Sequence, residues 1–402
     1  MLKRFTMALA CATALAAGPA AAQFSDDIVK LGIMADMSGP FADQNGPGDV
    51  VAARLAIEDF GGTVLGKKIE MVDGDPQNKT DIGLQLARRW YDIDKVDVII
   101  GPGNSAIGIA IHGIAKDKNK ISIATSAGTT ELTGKACTTH GFHWVYDTYS
   151  LAKATGTALT KAGGDSWFFI TSDYAFGHAL ERDAATIVKT MGGKVLGAAR
   201  APLNTPDFSF FLLQAQSSKA KVIGLANAGT DMVNAMKQAS EFGIVQGGQK
   251  VAGMLVLLNN IHALGLKDAQ GLLFTEAFYW DQNDETRAFS KRFMAKHGKP
   301  PTMMQAGVYS AATHYLKAVK EAGTDEANAV IAAMKKLPIN DFMTKNGWIR
   351  EDGRVMREMY LLEAKKPSES KGEWDLMKVV ATISAEDSVR PLSESECPLV
   401  KK

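Results

Sequence analysis

Three short stretches gather the residue types that hold a small polar ligand. The first is VDVIIGPGNSAIG (96–108), where an apolar, strand-like run leads into Gly101 and Gly103 and then into Asn104 and Ser105 at the head of a helical pattern. Glycines between a strand and a helix let an anion approach unpaired backbone N–H groups, with the helix dipole in its favour. A dinucleotide site on this plan also needs an acidic residue at the end of the next strand, to hold the ribose. Here the next strand, KISIATSAG, ends in Ser126, Ala127 and Gly128, and no P-loop lysine follows the glycines. The loop therefore suits a single carboxylate, held by N–H groups, the Asn104 amide and the Ser105 hydroxyl. The competing reading, in which Asn104 or Ser105 is only a helix N-cap, fits the same letters.

The second stretch, SIATSAGTTELTG (122–134), places Ser126, Thr129 and Thr130 after the neighbouring strand. The third, MSGPFADQNGPG (37–48), places Ser38 and Phe41 after the first strand. Crevices in parallel sheets lie at the carboxyl ends of strands, so hydroxyls and few charges at adjacent strand ends form a polar clamp. Catalysis finds no such grouping. His140 and His143, three apart, are read as structural histidines rather than metal ligands, and no G-x-S-x-G elbow occurs. The expectation is a binding protein with no cofactor, no metal and no catalytic residue.

The elements that must position these loops alternate along the chain. Strand-like VKLGIMADM (29–37), KKIEMVDGD (67–75), VDVIIG (96–101) and KISIATS (120–126) are separated by the helical patterns VVAARLAIEDF, TDIGLQLARRWYDI and IGIAIHGIAKD. A second set follows, with strand candidates DSWFFITSDY (165–174), KVLGAARAP (194–202), KVIGLANAG (221–229) and KVAGMLVLL (250–258). Wholly apolar strands alternating with helices predict parallel sheets covered on both faces, hence two doubly wound, Rossmann-like α/β domains. Three helical segments (285–298, 303–323, 327–337) and two further strands, REMYLLEAKK and WDLMKVVATIS, close the chain. Trp144, Tyr146, Tyr149, Phe278, Tyr279 and Trp280 cluster where the chain crosses between domains, as core packing or as cleft wall. Crossings near 142–148, 275–281 and 338–344 give a three-crossing hinge. Domain I is then 25–145 with 278–343, and domain II is 146–277 with 344–395.

The first 22 residues, with Lys3 and Arg4, an apolar run and small residues at Ala20 and Ala22, have the form of a secretory leader cut after Ala22. Their apolar run is shorter than the roughly 20 residues that span a bilayer, and Ala8 stands where a lipid-attachment signal at Cys11 calls for leucine. Removing Lys3 and Arg4 from 45 basic residues leaves 43 against 44 acidic ones, a balance that offers nucleic acid nothing. Cys137 and Cys397 remain after the leader, and an even count in an oxidising compartment favours a disulfide.

Across the mature chain the sequence resembles the leucine/isoleucine/valine-binding family, the type I solute-binding proteins of ABC importers. The resemblance rests on LGIMADMSGPFA, VDVIIGPGNSAIGIAI, ISIATSAGTTELTG, SDYAFGHALERD and KQASEFGI. It implies a periplasmic, monomeric protein that closes around a small molecule and delivers it to an inner-membrane permease with its ATPase subunits. It also implies that Ser105 holds a ligand carboxylate, that Ser126 and Gly128 give contacts from the next loop, and that Phe176 is an aromatic on the second domain's lip. Tyr174 joins Phe176 against the ligand body, and Asn227 reaches a substituent or carbonyl. Amino-acid binders of the family carry a Tyr after the strand equivalent to KVIGLANAG and an acid after the following one. Here those regions read Asn227-Ala228-Gly229 and Leu257-Leu258-Asn259. An ammonium group without an anion in a closed cleft is poorly bound, so the resemblance points to the branch that takes aromatic acids. A branched-chain amino acid is the alternative within the family; a sensor component or a secreted hydrolase is the alternative outside it.

Overall fold

In the computed structural model the described residues are 24–401. The leader read at 1–22, its cut after Ala22 and the lipid alternative at Cys11 lie outside them. Strands Ile28–Met34, Lys67–Gly74, Val98–Gly101, Ile121–Ala124 and Gly141–His143 form a parallel sheet, with Thr63–Val64 antiparallel at one edge. Val98–Gly101 and Ile121–Ala124 are buried at every position, which is why they show no polar alternation. Ile28–Met34 pairs with Lys67–Gly74 on one side and Val98–Gly101 on the other. The winding reverses there, which opens a crevice above their carboxyl ends. Helices Gly46–Phe60, Thr80–Asp92 and Ser105–Asp117 cover this sheet, and Met303–Ala322 packs against Gly46–Phe60 from far along the chain.

A second parallel sheet runs in the order Lys250–Gly253, Val222–Ala226, Ser166–Ser172, Lys194–Ala201, with its own reversal at Ser166–Ser172. The two sheets make two doubly wound, Rossmann-like domains. Leu273–Glu276, Met359–Ala364 and Met377–Ile383 form a separate antiparallel sheet beside the second.

Two segments differ from the sequence reading. KVAGMLVLL (250–258), expected as one strand, stops at Gly253, and a helix begins at Leu258. The chain folds back so tightly that a Cβ on Gly253 would sit 2.4 Å from the Val256 side chain, and Asn260 Oδ1 captures the Leu257 N–H at 3.0 Å to start the helix. Segment 338–344, expected to cross between domains, instead bridges Ile339 to Gly347, and the hairpin Trp348–Ile349 with Val355–Met356 bridges Arg354 to His143 of the first sheet. The chain joins the antiparallel sheet only from Met359 onward. Cys137 and Cys397 are disulfide-bonded, with Cα atoms 5.6 Å apart. Among the described residues no helix is long and apolar enough to cross a membrane.

Candidate functional site

The loops that leave the carboxyl ends of both parallel sheets face one another. Their positions are fixed first by Asp36, whose carboxylate accepts from Gly39 N at 2.6 Å, Phe41 N at 2.9 Å and Asn78 Nδ2 at 2.7 Å. This holds the turn that aims Phe41. Asn45 caps the next helix through Oδ1, which accepts from Gly46 N at 2.6 Å, while its NH2 lies against Gly103. A Cβ on Gly103 would sit 2.5 Å from Asn45 Nδ2. The space that this glycine opens is therefore filled by the Asn45 amide. The start of Met303–Ala322 braces the same loop: Thr302 Oγ1 donates to Gln44 O at 2.7 Å and Gln305 Nε2 to Asn45 O at 3.1 Å.

Together these loops wall a cleft lined by Phe41, Gln44, Asn45, Gly103, Ser126, Tyr146, Tyr174, Phe176, Ala228, Leu255 and Met304. None of the lining side chains carries a charge. The domains touch across it. Thr230 N donates to Pro40 O at 3.1 Å and Gln44 Nε2 to Asn260 Oδ1 at 3.2 Å. The conformation is closed.

The residues singled out from sequence divide into two groups. Phe41, Ser126, Tyr174 and Phe176 line the cleft, and the rings of Phe41, Tyr174 and Phe176 follow one another at 6.4 and 6.1 Å between centroids. Ser126 presents a buried Oγ with no protein partner, and its backbone O accepts from the Tyr146 hydroxyl at 2.6 Å. Gly128 lies between domains: a Cβ there would meet Tyr146 at 2.6 Å and Phe176 at 3.0 Å. Asn227 is buried beside the lining residue Ala228, and neither its amide oxygen nor its amide nitrogen has a partner.

The others stand behind or away from the cleft. Asn104 Oδ1 accepts from Ala106 N at 2.9 Å and so acts as the N-cap. Ser105 Oγ accepts from Thr129 N at 3.2 Å, tying the two clamp loops together. Thr129 Oγ1 in turn accepts from Glu131 N. Ala127 packs with Ala124 and Leu132 in the core. Ser38 is exposed and hydrogen-bonds Asp75. Tyr149 faces Arg390 of the C-terminal tail, 5.4 Å from its ring centroid.

Of the lining residues that sequence reasoning passed over, Tyr146 was visible as one of an aromatic cluster and Asn45 as a polar residue before a helix. Leu255 and Met304 gave no local signal, because only tertiary folding brings them to the wall. Asp231, an acid in the first turn of the helix Gly229–Glu241, is buried. Its Oδ2 accepts from Asn204 N at 3.0 Å, its Oδ1 has no partner, and burial pushes its carboxyl up to about 6. Burial likewise pushes the Tyr174 hydroxyl up.

The profile of the periplasmic binding protein family matches residues 28–373. A periplasmic binding protein from Burkholderia mallei is 49% identical and superposes with a TM-score of 0.92 over 93% of this chain and 100% of that one. A branched chain amino acid ABC transporter periplasmic ligand-binding protein from Burkholderia xenovorans LB400 is 42% identical, with a TM-score of 0.83 over 93% of this chain and 100% of that one. The same fold recurs in a solute-binding protein of an ABC transporter from Rhodopseudomonas palustris BisB5, solved in complex with 3,4-dihydroxybenzoic acid. It is 24% identical, with a TM-score of 0.81 over 90% of this chain and 98% of that one.

Proposed function

The chain belongs to the periplasmic binding protein family, and on that premise we propose that it captures a small carboxylate with an uncharged apolar or aromatic body in its interdomain cleft. The family and its fold neighbours are substrate-binding proteins of ABC transporters rather than enzymes, and the chain is an ABC-type solute-binding protein for amino acids or aromatic acids. The finer reading includes delivery to an inner-membrane permease and its ATPase subunits, a monomeric state, and a periplasmic location reached through a leader cut after Ala22.

The observation that carries the ligand class is the wall itself. The lining side chains include three aromatic rings from Phe41, Tyr174 and Phe176 and no carboxylate. An α-amino acid brings an ammonium group whose desolvation, without an anion beside it, costs several kcal/mol. A carboxylate finds hydrogen-bond donors: the Ser126 hydroxyl and the Asn45 and Gln44 amides. The buried Asn227 amide serves a second polar group on the ligand. Closure is a hinge motion between domain I (25–145 with 278–356) and domain II (146–277 with 359–383). The third crossing is moved to 357–358 because the hairpin before it bridges to His143.

A branched-chain amino acid is the second reading. The unpartnered Asp231 Oδ1 and the name of the Burkholderia xenovorans relative support it. Calorimetry with benzoate, 4-hydroxybenzoate, 3-phenylpropenoate and leucine separates the two. Heat from an aromatic acid and none from leucine supports the first reading; tight leucine binding with no response to the acids overturns it.

A further inference from the structure

We propose that the C-terminal tail is a latch across the hinge, in which Arg390 and Asp183 act as positioning residues that hold the clamp loop and so favour the closed cleft. The inference rests on hinge closure and is independent of the ligand's class. Beside the cleft lies a second cavity of about 380 Å³, lined by Thr130, Glu131 and Gly134 of the clamp loop, Arg182 of domain II, and Arg390 and Glu396 of the tail, among others. Its three arginines, Arg182, Arg350 and Arg390, face four carboxylates, Glu131, Asp147, Asp352 and Glu396. Those charges offset one another, which suits a structural junction better than a ligand site.

Asp183 is the hub of the junction. It is buried, and its Oδ2 accepts from Thr130 Oγ1 at 3.0 Å and Thr148 Oγ1 at 2.6 Å. Its Oδ1 accepts from Arg390 Nη2 at 2.8 Å. Thr130 follows directly on the cleft loop of Ser126 and Gly128, whereas Asp183 belongs to the helix Ala175–Thr190 that carries Phe176. The Arg182–Glu131 pair, at 2.7 Å, joins the same two elements.

The tail brings a second cation to the hub, beside Arg182, whose Nε lies 3.3 Å from Asp183 Oδ1. Arg390 lies over the Tyr149 ring and on Asp183, and its backbone O accepts from Arg350 Nη1 at 2.8 Å. Seven residues on, Cys397 is bonded to Cys137, at the far end of the clamp loop, and Glu396 pairs with Lys135 at 3.3 Å. The tail is thus fixed covalently to domain I and by charge to domain II. It shortens the span that opening must stretch, and removing Arg390 leaves Asp183 a buried carboxylate with one cation fewer.

The readout is the Thr230 amide, in the first turn of Gly229–Glu241, where no intrahelical acceptor exists. Its protection from exchange reports its bond to Pro40 O across the cleft. Residue-resolved hydrogen exchange on the ligand-free protein compares wild type, Arg390→Met, Arg390→Lys, and wild type under a thiol reductant. The expected result is exchange at Thr230 about tenfold faster in Arg390→Met and in reduced protein, with Arg390→Lys close to wild type. Unchanged Thr230 exchange in both Arg390→Met and reduced protein overturns the latch. If Arg390→Met also loses protection in Val98–Gly101, it has unfolded, and the reduced wild type then decides. Because no ligand is added, a failure here leaves the ligand reading untouched, and the calorimetry leaves the latch untouched.

Discussion

Gly229→Ala separates closure of the cleft from stability of the fold. Gly229 sits at φ +62°, and a Cβ there would stand 2.3 Å from Pro40 O and 2.9 Å from Phe41 Cδ1, both on the opposing domain. The left-handed backbone costs an alanine about 1 kcal/mol in the open and closed forms alike, and this falls on folding stability. The collision exists only when the domains meet. Relieving it means separating the 228–230 loop from Pro40 by about 1 Å, which gives up the Thr230–Pro40 hydrogen bond, about 1 kcal/mol. Overpacking at the contact adds about 1–3 kcal/mol. Ligand affinity should therefore fall roughly 30- to 1,000-fold, while the ligand-free melting temperature drops only a few degrees. Titration calorimetry with the aromatic acid that binds wild type, beside thermal melts without ligand, makes the comparison. Wild-type affinity in Gly229→Ala would refute the reasoning, since a Cβ cannot occupy the space of the Pro40 carbonyl in a closed cleft.

Ser126→Ala removes the unpartnered hydroxyl in the cleft and should weaken aromatic-acid binding about tenfold; Ser105→Ala, which loses the tie to Thr129, should shift melting more than affinity, and calorimetry with melts distinguishes them. Asp231 has a folded carboxyl raised to about 6 from 3.8, so its ionisation costs about 3 kcal/mol, a loss that sets in as pH rises from 3.8 through 6. Asp231→Asn keeps an oxygen for Asn204 N, so melting at pH 7 should rise with benzoate affinity unchanged; a loss of leucine binding in this variant would favour the amino-acid reading. His112 is buried without a partner and pushed down to about 4 from 6.5. The unfolded chain binds a proton that the fold excludes, so up to about 3 kcal/mol is lost as pH falls from 6.5 to 4. Melting curves over that window should flatten in His112→Leu.

What could be read before folding follows a physical divide. Parallel strands such as Val98–Gly101 are legible because burial on both faces leaves an apolar run, here ending at a glycine. The loops at the strand ends are legible as loops because Gly, Ser and Thr interrupt each apolar run. KVAGMLVLL misleads because an apolar run of that length fits a buried strand or a buried turn and helix equally; the side chain of Asn260, seven residues past Gly253, decides for the helix. Ser105 and Asn104 carry the residue types of a carboxylate cradle, yet their oxygens accept from Thr129 and Ala106. Which of these side chains reaches the backbone depends on distances that no spacing encodes.

That division also bears on why the cleft is built as it is. Ser126 Oγ and both polar atoms of Asn227 are buried without partners; Ser126 lines the cleft and Asn227 directly precedes the lining residue Ala228. Each such group costs about 1–3 kcal/mol when water is removed and nothing replaces it. An empty closed form therefore works against itself, and the open form, where water reaches these groups, is relieved of the penalty. A ligand that bonds to them restores the balance only when the domains meet around it, so its affinity for the closed form exceeds that for the open one. That difference is what a ligand-driven closure requires. The Asp183–Arg390 junction acts in the same direction from outside the cleft, so the empty protein is held between an electrostatic latch that favours closure and unpartnered polar groups that oppose it.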